Sequence, residues 1–119
     1  MEVRKRKRRA PEQVGKEQRD DLVPTGSTLL NLALSGYKDG GFLLGSIANI
    51  VGDSHAGKSF LAWHVLAECT YSKKFDKFNL IYDDSEASMN LPIENLFGKK
   101  VLDRVELVRT DFIEEFFVN

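Results

Sequence analysis

The stretch Gly52-Asp53-Ser54-His55-Ala56-Gly57-Lys58-Ser59 constrains this chain more than any other. It fills the pattern G-x-x-x-x-G-K-[ST], whose fixed positions each have a chemical reason. A polyphosphate needs several backbone N–H donors turned toward one concavity. Gly52 and Gly57 allow dihedrals and close approaches that a Cβ would forbid. Amides from Ala56 to Ser59 open a helix, so the positive end of its dipole faces the anion. The Lys58 ammonium is placed to reach the β- and γ-phosphates, and the Ser59 hydroxyl to hold Mg2+. The ligand set read from the pattern is therefore Gly52, Asp53, Ser54, His55, Ala56, Gly57, Lys58, Ser59 and Phe60, with ATP and Mg2+ as cofactors. The alternative is an ordinary glycine turn that starts a helix.

The surroundings of the motif predict its setting. Ile47-Ala48-Asn49-Ile50-Val51 is short, apolar and partly β-branched, which predicts a buried parallel strand entering the loop. Residues 57–70 lack proline and carry Phe60, Leu61, Ala62, Val65, Leu66, Ala67 and Cys69, which predicts a buried helix leaving it. Within that helix Trp63, His64 and Cys69 read as core or helix-face residues. His55 reads as a solvent-facing loop residue, and the Asp53 carboxylate should point away from phosphate.

Further strands are predicted over residues 78–82 and 105–109. Pro92 opens a helix over residues 93–97 that Gly98 closes, and Asp111 caps a last helix holding Phe112, Ile113, Phe116 and Phe117. Ahead of the motif, Ser27 or Thr28 caps a short helix with an apolar face of leucines, ended by Ser35-Gly36. Lys38-Asp39-Gly40-Gly41 is a turn. Alternating strands and helices imply an α/β fold with a parallel sheet flanked by helices.

The net charge of −1 conceals an asymmetry: residues 1–24 hold eight Lys or Arg against five Asp or Glu, and the remainder is acidic. Arg4-Lys5-Arg6-Lys7-Arg8-Arg9 is a run of six like charges that repel one another. Residues 1–24 are therefore expected to be a disordered basic arm, and residues 25–119 the folded part. The arm suits phosphate contacts with nucleic acid, a localisation patch or a solvated tail. A single cysteine excludes an intrachain disulfide and a multi-cysteine zinc site. No apolar run reaches the roughly 18 residues of a membrane span.

Around the motif, Thr25-Gly26-Ser27-Thr28-Leu29-Leu30-Asn31-Leu32-Ala33-Leu34-Ser35-Gly36 resembles the segment that precedes the phosphate loop in RecA-type recombinases. Asp84-Ser85-Glu86-Ala87-Ser88-Met89-Asn90 is similar to that family's acidic segment after the second strand. Phage-encoded members are the most similar in composition. The resemblance covers residues 25–90 well, residues 91–119 loosely and the arm not at all. It implies the RecA-like core of the P-loop NTPases, truncated before the Walker B strand. That strand and the two DNA-binding loops would lie beyond Asn119. Leu80-Ile81-Tyr82-Asp83-Asp84 imitates a Walker B strand but follows Lys58 too soon.

By the resemblance, Glu86 is the catalytic glutamate that orients the attacking water, beside Lys58, and Asn90 lies where the family contacts adenine. The implied activity is ATP-dependent recombination. ATP promotes single-stranded DNA binding and strand exchange by a filament, in the cytoplasm of a bacterial or phage-infected cell. Two departures stand out. Ser54 replaces a Glu used for nucleotide sensing, and Ser59 replaces the more usual Thr. A ring-forming helicase, a clock-type ATPase and a nucleotide-binding module without hydrolysis share the same features and remain open.

Overall fold

The computed structural model of the chain describes residues 15–53, 56–84 and 91–109. Two small sheets and four α-helices make up these residues.

The first unit forms ahead of the loop. A 3-10 turn over Lys16–Asp21 leads into β1 (Leu22–Val23), which pairs antiparallel with β2 (Phe42–Leu43). Leu22 is buried beneath this pair, and Arg19 reaches Asp39 at 2.5 Å. Residues 15–24 therefore belong to the folded part, against the boundary expected after residue 24. The charge count over residues 1–24 could not register that Leu22-Val23 finds a ladder partner twenty residues on.

Between these strands lies α1 (Thr28–Ser35). Ser27 caps it by accepting a hydrogen bond from the Leu30 amide at 3.3 Å, and Gly36 ends it in the left-handed conformation at φ 82°. The face it buries is not the expected one. Asn31 and Ser35 are inside, whereas Leu29, Leu32 and Leu34 are exposed. Asn31 Oδ1 accepts from the Thr25 amide at 3.0 Å and the Thr25 hydroxyl at 2.6 Å, and its Nδ2 donates to the Lys38 carbonyl at 3.0 Å. Satisfying these buried backbone groups decides which face turns inward, because leaving them unpaired costs about 1–3 kcal/mol each.

The larger unit is built on α2 (Lys58–Tyr71), followed by a 3-10 turn at Lys73–Phe75 and β3 (Ile81–Asp83). Next come α3 (Ile93–Phe97), α4 (Lys99–Arg104) and β4 (Glu106–Val108). β3 and β4 pair in parallel, with Tyr82 opposite Leu107. The core gathers Trp63, Ala67, Cys69, Phe75, Leu80, Ile93, Val101 and Val105. Trp63 of α2 stacks on Tyr82 of β3, ring centroids 4.8 Å apart. At the far end of α2, Arg104 Nη2 lies 2.7–3.0 Å from the Phe75, Asp76 and Phe78 carbonyls and holds the turn into β3. The strand thus runs back along the helix, and its carboxyl end lies toward the start of α2. The helix α4 carries no signal that the sequence reading used.

One expected element is missing from the described residues. Ile47-Ala48-Asn49-Ile50-Val51 forms no strand, with Ile47 100% and Val51 85% exposed. Among the described residues no strand pairs with it, and without a ladder partner a β-branched run has nothing to hold it extended in a sheet. The last expected helix, beginning at Asp111, lies outside the described residues.

Candidate functional site at the start of α2

Gly57 takes φ 94° and ψ 18°, a left-handed conformation that glycine adopts without a Cβ penalty. It turns the chain sharply into α2, whose first internal bond runs from the Leu61 amide to the Gly57 carbonyl at 3.0 Å. The opening amides of a helix have no intrahelical acceptor. Ser27 meets this need for α1, but among the described residues no side chain caps α2, and its first turn has no acidic residue. The amides of Lys58, Ser59 and Phe60 thus form a cluster of donors at the positive end of the helix dipole.

The loop doubles back on itself. The Ala56 amide donates to the Asp53 carbonyl at 3.1 Å. A Cβ added to Gly52 would stand 3.4 Å from Ala56 Cβ and 3.6 Å from Lys58 Cδ, so the two ends of the motif face each other closely. Lys58 Nζ donates to the Gly52 carbonyl at 2.6 Å, which carries the ammonium across the mouth of the loop. Gly52, Asp53, Ala56, Gly57, Lys58, Ser59 and Phe60 are all exposed. Ser54 and His55 lie outside the described residues.

Of the acidic segment, the described part is Asp83 on β3 and Asp84, whose amide donates to the Val108 carbonyl at 2.9 Å. Glu86 and Asn90 lie outside the described residues. No group of three or more His, Cys, Asp or Glu among the described residues is placed to hold a metal. A Mg2+ ion bound with a triphosphate needs only one or two protein oxygens besides phosphate and water, and the Ser59 hydroxyl is exposed and could supply one.

Sequence reasoning missed an aromatic cluster beside the loop. Phe60 and His64, four residues apart on one face of α2, meet Phe97 at the end of α3. The centroids of Phe60 and Phe97 are 5.6 Å apart, of His64 and Phe97 5.7 Å, and of Phe60 and His64 5.9 Å. The i, i+4 spacing was visible in the sequence, but Phe97 was not, because α3 reaches it through the tertiary fold. Gly26 packs on the same imidazole: a Cβ there would fall 2.5 Å from His64 Nε2. Trp63 and Cys69 are buried, as core residues of this helix would be. Burial, aided by the nearby Glu68 charge and opposed by Arg104, pushes the Cys69 thiol up to about 11.

Compared with protein-family models, curated proteins and solved structures, the chain matches none. No helix among the described residues is long and apolar enough to cross a membrane.

Proposed function

We propose that residues 52–59 bind the phosphates of ATP with Mg2+, and that the chain carries the nucleotide-binding part of an ATP-dependent DNA recombinase of the RecA type. The observation that carries the first half is the junction at Gly57. A left-handed glycine delivers uncapped helix amides and a lysine ammonium to one concave turn. An ordinary glycine turn needs neither the ammonium nor the doubling back at Gly52. Lys58 exchanges its carbonyl acceptor for phosphate oxygens, and Ser59 supplies an oxygen to the metal. Glu86 orients the attacking water in the whole enzyme. The recombinase half rests on the resemblance around residues 25–36 and 84–90.

Because the segment entering the loop is uncovered in this structure, the loop is braced from the helix side only, and binding is expected to be weak with negligible turnover. The sole tryptophan, Trp63, lies five residues past Lys58 and reports on this end of α2. Titration with ATP and Mg2+, followed by its fluorescence, should saturate in the wild type. It should weaken at least tenfold in Lys58→Ala, the loss of a charge-assisted bond worth about 1.5–3 kcal/mol. Equal affinities would remove the phosphate-loop reading. Filaments on single-stranded DNA, seen by electron microscopy, support the recombinase reading, and rings a helicase. In the whole enzyme, phosphate release that Glu86→Gln leaves unchanged would remove Glu86 from the catalytic role, and no release from the wild type would point to a module that does not hydrolyse.

A further inference from the structure

We infer that Phe60, backed by His64 and Phe97, is the surface on which the base of the bound nucleotide stacks. This rests on the phosphate-loop reading and extends it from the phosphates to the base. Lys58 and Phe60 lie two residues apart, which separates them by roughly 200° around the helix axis and about 3 Å along it. A phosphate chain that crosses the helix mouth with its terminal group at Lys58 therefore leads its other end out on the Phe60 side.

The three rings stand there as a triangle with sides of 5.6, 5.7 and 5.9 Å. Phe97 packs against the buried core, and Phe60 and His64 continue to its rim the stripe of α2 that carries Trp63 and Ala67. Phe60 is 42% exposed at the very start of the helix, and the His64 side chain is 36% exposed. Water contact on a phenyl ring is unfavourable, and a purine laid on it removes that contact while adding π overlap. The platform is also held in place. Gly26 presses on the imidazole, and the Tyr71 hydroxyl donates to the Phe97 carbonyl at 2.8 Å, anchoring the end of α3 to α2.

The test compares ATP with inorganic tripolyphosphate, each with Mg2+, on the full chain by calorimetry. Phe60→Ala and Phe97→Ala should each weaken ATP about tenfold, the size of an aromatic–base stack, and leave tripolyphosphate within about twofold. Phe60→Trp should restore or improve ATP binding. In the wild type, the His64 Hε1 resonance should move upfield with ATP and not with tripolyphosphate. This readout needs no substitution and so stands if a variant misfolds. Equal losses for both ligands, no loss for either, or no upfield shift with ATP would overturn the stacking surface while leaving the phosphate loop intact. A wild-type chain that binds neither ligand would overturn the phosphate loop, and the stacking surface with it.

Discussion

The ammonium of Lys58 donates a 2.6 Å hydrogen bond to the carbonyl of Gly52, joining the first and seventh positions of the glycine-rich motif. Both residues are exposed, so this bond competes with water and contributes little to stability. Lys58→Ala should therefore shift the urea midpoint by an amount equivalent to about 0.5 kcal/mol or less. On the proposed function, its effect is expected in ligand binding instead. A loss of stability several times larger would mean that Lys58 is a structural strut and not a ligand-binding residue.

Ile47 separates the observed fold from the expected one. Fully exposed as it is, Ile47→Ala should change stability by no more than about 0.5 kcal/mol. An isoleucine in a buried central strand would cost about 2–5 kcal/mol on the same change. Chemical denaturation of the two proteins distinguishes these outcomes directly.

Asn31 holds the first unit together from inside α1. Asn31→Ala strands the buried Thr25 amide and the Lys38 carbonyl, so a loss of about 2–3 kcal/mol is expected. Leu29→Ala on the exposed side of the same helix should cost far less. The reverse order in equilibrium unfolding would show that the leucines face inward.

Gly26 and Gly36 offer a matched pair. Both have positive φ, 88° and 82°, and an alanine in that conformation costs about 1–2 kcal/mol. At Gly36 a Cβ meets nothing within 4 Å, whereas at Gly26 it meets the His64 ring at 2.5 Å. Gly26→Ala should thus lower the thermal midpoint more than Gly36→Ala. It should also weaken ATP binding, by displacing the imidazole that backs Phe60.

Cys69 makes stability depend on alkaline pH. Its thiol is raised from an ordinary 9.0 to about 11 by burial. Below pH 9 the thiol is protonated whether the chain is folded or unfolded, and the contribution is fully present. Between these values the unfolded chain releases the proton and the folded chain keeps it, so stability falls as pH rises and this part of the fall ends above about 11. Cys69→Ala should lack that part of the decline in urea midpoints. At pH 8, iodoacetamide should label the native thiol far more slowly than the unfolded one.

Local signals in the sequence were enough to place several elements. Pro92 and Gly98 bracket α3 at Ile93–Phe97, and Gly57 marks the start of α2 because only a residue without a Cβ turns the chain that way. Ser27 and Gly36 cap α1 for similarly local reasons. The phosphate-loop candidate was legible because its chemistry lies within eight consecutive residues. Tertiary structure alone decided the rest. Whether residues 47–51 form a strand depends on a neighbour that apolar composition cannot supply. Which face of α1 is buried depends on the Thr25 amide and the Lys38 carbonyl, both outside the helix, that Asn31 must satisfy. The meeting of Phe97 with Phe60 and His64 joins segments that are remote in the chain. Caps and turns are governed by backbone dihedrals a few residues long, so they can be read in order. Pairing and burial are governed by contacts between distant segments, and those exist only once the chain has folded.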